Sequence, residues 1–310
     1  VKNEPLIQKL PKAGKIKKET ENKTLGFKEL TLSNGIKVVL KKTDYKKDEV
    51  RMTGECAGGS SLYGMDDWAN LQLFDEVIGV SGLGNFSSTE LDKALAGKIA
   101  NADLSLGQTS VNVTGSSTPQ DVETMLQLTY LYLTHINKDQ DAYQNLMTTM
   151  ALTLKNRASN PMSAYSDSLT ATLYGHNPRL RAVKESDLQH VDYDRILQIA
   201  KEMTANTGNF RFTFVGNFDE AALRQLVCQY LGSLPSKKKA KKGHRLGQLV
   251  KGEVVNNFTR KMETPKAMNV TMWYNNQMPW TLENSINSQV VGQVLSMIYL
   301  EKIREEASAA

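Results

Sequence analysis

Val50-Arg51-Met52-Thr53-Gly54-Glu55-Cys56, then Ala57-Gly58-Gly59-Ser60-Ser61, then Gly64-Met65-Asp66-Asp67-Trp68-Ala69-Asn70-Leu71 is the stretch that decides the fold. It reads as a strand, a turn of small residues and the opening of a helix. Further along, Trp68, Ala69, Leu71, Leu73, Phe74, Val77 and Ile78 cover most of a helical surface, the pattern of a helix buried on most sides. Gly79, Gly82 and Gly84 punctuate its end.

Upstream, the apolar-alternating runs Phe27–Leu32 and Ile36–Lys41 flank Ser33-Asn34-Gly35, which predicts a β-hairpin. Asn-Gly between strands suits a type I′ turn, where both central residues need positive φ. Residues 1–25 are rich in Lys, Glu, Asn and Pro and read as a linker or extended arm. Downstream, a short helix is predicted over Leu91–Ala96, with strands at Ala102–Leu106 and Ser110–Gly115. Helices follow over Val122–His135, Ala142–Arg157 and Asp192–Thr204. A strand at Phe210–Val215 and a helix at Ala221–Leu231, stopped by Gly232-Ser233-Leu234-Pro235, close this unit. The predicted fold class is α+β, an antiparallel sheet packed against helices.

A second set then starts, with strands at Gly252–Thr259 and Met268–Tyr274 and a long helix from Thr281 to about Glu306. Strands, turn and long helix thereby echo Leu30–Ile78, an internal repeat of pattern rather than identity. The expected organisation is an arm at 1–25, a domain at 26–236, and a lysine-rich linker with the start of a truncated second copy at 237–310.

Composition narrows the function classes. The 310 residues are 40% hydrophobic and 23% charged, with a formal charge of +5, ordinary for a globular chain. No apolar run approaches the ~20 residues that span a bilayer. The start lacks both a signal pattern and a Met, so the chain reads as a segment of something longer. Two lysine-rich tracts, Lys9–Lys18 and Lys237–Lys242, read as solvated linkers; no aromatic interleaves them, and nucleic acid is not an expected partner. Cys56 and Cys228 lack C-x-x-C partners and read as buried thiols, a disulfide between them staying open. Gly79–Gly84 carries no phosphate-binding fingerprint, and no Ser is set beside a His and Asp pattern.

Several segments, in order, resemble a domain of the pitrilysin/insulinase (inverzincin) zinc metallopeptidases. They are Leu32-Ser33-Asn34-Gly35-Ile36-Lys37-Val38-Val39-Leu40, Ala57-Gly58-Gly59-Ser60, Phe212-Thr213-Phe214-Val215-Gly216-Asn217-Phe218-Asp219 and Tyr230-Leu231-Gly232-Ser233-Leu234-Pro235. The resemblance implies four related domains in two clamshell halves, zinc usually in the first, and an arginine and a tyrosine usually contributed by the fourth. This chain resembles the third domain plus the start of the fourth.

In an active domain of that family the helix carries H-x-x-E-H, and those positions fall here on Asp67, Asn70 and Leu71. Leucine cannot ligate zinc and asparagine cannot deprotonate its water. The downstream glutamate ligand is expected on Ala142–Arg157, which contains no glutamate, and the four histidines at 135, 176, 190 and 244 are never i, i+4. No metal is therefore expected in this chain, and zinc is expected in the parent's catalytic domain. Asp66-Asp67 and Asp75-Glu76 read as acids serving the helix dipole.

Arg304, in Ile303-Arg304-Glu305-Glu306-Ala307-Ser308-Ala309-Ala310, resembles the family arginine that precedes the tyrosine by seven residues, a position just past residue 310. The resemblance gives it a substrate or oxyanion contact; the plain alternative is a solvated Arg paired with Glu301. The expected function is the non-catalytic C-terminal-half portion of a zinc metalloendopeptidase, inactive alone, that helps enclose and bind peptide. Its expected partners are the N-terminal catalytic half of the same parent and a peptide substrate. The alternative is a structural or peptide-binding homologue whose parent lacks peptidase activity. The residues do not specify a compartment; the resemblance implies a bacterial periplasmic or membrane-associated one.

Overall fold

A computed structural model describes residues 2–236 and 239–308. In chain order the elements are β1 (Ile16–Asn22), β2 (Phe27–Leu32), β3 (Lys37–Lys42), β4 (Val50–Ala57), α1 (Trp68–Gly79), β5 (Gly82–Leu83), α2 (Ser88–Ala94), β6 (Ala100–Leu106) and β7 (Ser110–Ser117). There follow α3 (Val122–Thr134), β8 (Ile136–Asn137), α4 (Gln140–Ala158), α5 (Pro161–Leu173), α6 (Tyr193–Thr204), β9 (Arg211–Gly216), α7 (Glu220–Tyr230) and α8 (Leu282–Tyr299).

Seven strands form one sheet in the order β1-β2-β3-β9-β4-β7-β6. All neighbours are antiparallel except β3 and β9, which run parallel. The last strand thus returns to the middle of the sheet. This is the expected α+β architecture, with one parallel pair that local patterning does not reveal.

Strand β4 shows how the sheet chooses its faces. Val50, Met52, Gly54 and Cys56 are buried, while Arg51, Thr53, Glu55 and Ala57 are exposed, the period-2 pattern of a half-covered sheet. The buried side meets Leu73, Phe74, Val77 and Ile78 of α1, Met125 and Leu126 of α3, and Ile196 and Ile199 of α6 in one core. Phe212 and Phe214 of β9 are fully buried there. The opposite face carries Arg51, Thr53, Glu55, Thr114 and Arg211 in the open.

Four expectations need correction. The Asn34-Gly35 hairpin forms, but not through a type I′ turn. Only Gly35 has positive φ (98°), and Gly35 N donates to Leu32 O (2.9 Å) while Leu32 N donates to Ile36 O (2.8 Å). That is the three-residue loop closed by a glycine in the left-handed region. Asn34 Oδ1 accepts from Ile36 N (3.2 Å) within the turn, and the same side chain also reaches outward. Its Nδ2 donates to Leu231 O (2.9 Å) and Leu234 O (3.0 Å), pinning the end of α7 to the hairpin.

Secondly, the arm at 1–25 is not all linker. Residues 16–22 form the edge strand β1, paired along β2; its charges suit an edge, which is why it lacks the apolar pattern of a core strand. Ile7 joins the core, and Gly14 N donates to Cys228 O (2.9 Å).

Thirdly, no strand forms between residues 239 and 280 among those described. Two short strands with no further strand paired to them make an isolated hairpin, which is marginal in water. Trp273, Trp280 and the apolar residues of α8 other than Leu295 stand exposed.

Finally, Asp75 serves no helix dipole. It lies in the second half of α1, and its Oδ1 accepts from Leu106 N (2.9 Å), anchoring the end of β6. Lys237, Lys238, Ala309 and Ala310, which fall in the second lysine tract and the Arg304 segment, lie outside the described residues, as does Val1.

Candidate functional site: the vacated zinc-motif helix

The strand exit and α1 position this site as the sequence implies. After β4, Gly58 and Gly59 adopt φ of 156° and 104°, and short 3-10 turns at Ser60–Leu62 and Met65–Asp67 feed into α1. Gly59 has no alternative, since a Cβ there would overlap the Gln108–Thr109 peptide. Asp67 therefore stands at the helix N-terminus, Asn70 one turn in, and Leu71 beside it in the core.

These three side chains are fully engaged in holding the fold. Both oxygens of Asp67 accept from one guanidinium, Arg195 Nε at 2.9 Å and Nη2 at 2.8 Å. Arg195 on α6 also sits 3.7 Å from Glu202, whose carboxylate accepts from Tyr63 Oη (2.6 Å). Asn70 Nδ2 donates to Asp67 Oδ1 (3.3 Å), and Asn70 Oδ1 accepts from Asp192 N (2.7 Å), the N-cap of α6. The residues at two of the three vacated motif positions thus tie α1 to α6, and the third fills the core.

The electrostatics agree with a structural role. The Arg195 guanidinium holds the Asp67 carboxyl below the usual carboxylate range, and Asp67 in turn raises the Arg195 pKa. Burial, then the bond to Glu202, pushes the Tyr63 phenol up. All three groups are driven toward one fixed protonation state near neutrality, which is the opposite of an acid or base poised to exchange protons. Asp75 is raised by burial, against the bond from Leu106 N.

A second layer surrounds the turn. Arg179 donates to Tyr63 O (2.6 Å) and Ser60 O (3.1 Å), and Trp68 Nε1 donates to Arg179 O (3.1 Å). Arg181 lies 4.0 Å from the Trp68 ring centroid and grips Asp187 through two 2.8 Å bonds. Sequence reasoning missed Tyr63, Arg179, Arg181, Arg195 and Glu202. Arg195 lies 128 residues from Asp67, and no local pattern announces so distant a pairing.

The helix expected to supply the downstream glutamate is α4. It presents no glutamate, and its Arg157 instead grips Asp167 of α5 at 2.7 and 2.6 Å. Among the described residues no three His, Cys, Asp or Glu side chains gather as a metal site. Cys56 and Cys228 are free thiols; burial pushes Cys56 up to about 11 and raises Cys228 as well. Arg304 lies far along the chain from this site, exposed on a short π-helical turn (Leu300–Glu306) after α8, and makes no ion pair among the described residues. Its neighbours Lys302 and Glu306 pair at 2.8 Å.

Known proteins share this fold. Residues 190–310 match the family described as the Peptidase M16 inactive domain. The chain is 26% identical over 233 residues to the zinc protease PQQL-like protein of Arabidopsis thaliana, covering 75% of this chain and 22% of that protein. It is 23% identical over 289 residues to the probable zinc protease PqqL of Escherichia coli K12, covering 91% and 30%. The crystal structure of the periplasmic protease PqqL from E. coli superposes with a TM-score of 0.67 at 20% identity, covering 80% of this chain and 27% of that one.

The class these likenesses point to is the zinc-motif-lacking, non-catalytic part of M16 (pitrilysin/insulinase-type) zinc peptidases, to which the chain is similar. In particular the chain is similar to PqqL and the PQQL-like protein, and it spans under a third of the length of these curated relatives. No helix among the described residues is long and apolar enough to cross a membrane.

Proposed function

We propose that this chain is a non-catalytic portion of a zinc metalloendopeptidase, which helps enclose an unfolded peptide while zinc and general base come from a separate catalytic half. The observation that carries this reading is the Asp67–Arg195 clamp. Where the family's active helix presents two ligands and a base, this helix presents a carboxylate locked by a guanidinium, an amide locked to α6, and a buried leucine.

The uncovered sheet face supports the enclosing role. Its exposed Arg51, Thr53, Glu55, Thr114 and Arg211 offer donors and acceptors of both kinds without a large apolar patch, a surface that tolerates many peptide sequences. Arg304 would reach substrate only in an assembled parent, where it would polarise the scissile carbonyl. The zinc belongs, in this reading, to the catalytic half.

The test is incubation of the purified chain with fluorescein-labelled unfolded peptides, read by anisotropy and mass spectrometry. Peptide bound and recovered intact is the expected result. Cleavage products would contradict the reading, and no binding of any peptide would restrict the chain to a scaffold.

A further inference from the structure

We propose that residues 239–250 are a docked strap: an extended stretch of the chain's own backbone that fills a groove beside the vacated motif and keeps other peptides out of it. The groove is walled by the Gly58–Ser61 turn, by Gln108 and Thr109 of the β6–β7 hairpin, and by Asn177 and Leu180 after α5.

The strap is held through its main chain. His244 N donates to Ser61 Oγ (2.8 Å) and Leu246 N to Gln108 Oε1 (3.2 Å). Asn177 Nδ2 donates to Leu246 O (2.9 Å), and Val250 N donates to Leu173 O (2.9 Å). Bonds from wall groups to successive backbone donors and acceptors are how an extended peptide is recognised whatever its side chains.

Shape adds selectivity at two positions. A Cβ on Gly243 would overlap Gly58 O and come 2.7 Å from Ser61 Oγ and 2.8 Å from Thr109 Cα, so it meets largely rigid backbone. A Cβ on Gly247 would come 2.6 Å from Leu180 Cδ1 and 2.9 Å from Asn177 Nδ2, a softer obstacle of side-chain tips. The groove therefore takes an extended segment with glycine at two positions four residues apart. The strap carries Lys241, Lys242, His244 and Arg245 outside those contacts. Tethering raises its local concentration to the millimolar range, so even a weak groove stays filled in cis.

This inference stands apart from the proposed function, since it concerns an occupant within the chain. The experiment follows tryptic cutting at Arg245–Leu246 by mass spectrometry, with the exposed Arg260 and Lys261 bonds of the same molecule as reference. In the native chain Arg245–Leu246 should be cut at least about tenfold more slowly than the reference bonds. Gly243→Val should abolish that difference and Gly247→Val reduce it, while Gly64→Ala, whose Cβ meets nothing within 4 Å, leaves it unchanged.

A labelled peptide of sequence 239–250 should bind the Gly243→Val chain and not the native one. Should Gly243→Val not fold, amide exchange of the native chain replaces it: His244, Leu246 and Val250 should exchange at least about tenfold more slowly than residues 254–272. Equal cutting of strap and reference bonds in the native chain, unchanged protection in Gly243→Val, failure of the peptide to bind it, or fast exchange at those three amides would overturn the proposal.

Discussion

Arg195 is the residue on which the vacated motif now depends. Replacing it with Ala leaves the Asp67 carboxylate, 16% exposed, without its charged partner, a loss of about 2–3 kcal/mol. For a domain of this size that corresponds to a fall in melting temperature of roughly 5–10 °C, measurable by differential scanning calorimetry. The pH dependence has a defined sign. Asp67 has a depressed folded pKa, so its stabilisation is fully present above the ordinary aspartate value and is lost as pH falls through the folded one. Urea titrations from pH 5 to pH 2 should therefore show a shallower loss in Arg195→Ala than in the native chain.

Asp75 runs the other way, because burial raises its folded pKa. Its charged form costs stability at neutral pH, and that cost disappears as pH falls below the folded pKa toward the unfolded one. Asp75→Asn keeps an acceptor for Leu106 N, so it should melt higher at pH 7.5 and lose its advantage near pH 4. At this scale residue type sets the expectation: aspartate, asparagine and leucine at 67, 70 and 71 do not make up two histidine ligands and a glutamate base. What these side chains do instead was hidden, since the Arg195 and Asp192 partners come from the start of α6, more than a hundred residues away.

Among elements, legibility followed periodicity. The buried helix α1 and the β4 strand were clear because burial on one or most sides imposes a regular apolar pattern. β1 was not, because an edge strand with exposed lysines and glutamates has no apolar period. α5 went unread although Asn160-Pro161 opens it, with Asn160 Oδ1 accepting from Met162 N (2.9 Å). No residue of α5 is fully buried, so no stripe marks it. The Asn34-Gly35 hairpin was located correctly and typed wrongly: only Gly35 takes positive φ, while Asn34 bonds the Leu231 and Leu234 carbonyls just past α7. Asn34→Ala keeps the turn residue Gly35 yet removes the bonds to Leu231 O and Leu234 O and the one from Ile36 N, and should cost about 1–2 kcal/mol in chemical denaturation.

Across the whole molecule, residues 7–235 form a cored unit while 251–308 leave most of their apolar side chains exposed. Hydrogen exchange should accordingly show slow amides on β3, β4, β9 and α1 and rapid exchange throughout 251–280. Strong protection across 251–280 in the isolated chain would contradict this division. The repeat seen in the sequence survives as a helix, α8, without the strands that would complete a second sheet.

The central proposal is that this chain serves as the non-catalytic side of a zinc peptidase. Equilibrium dialysis against zinc, followed by peptide cleavage with the dialysed protein, tests it most directly. The account predicts well under one zinc per chain and intact peptide. One tightly held zinc per chain together with cleavage would contradict it, because Asp67, Asn70 and Leu71 would then no longer mark a vacated site.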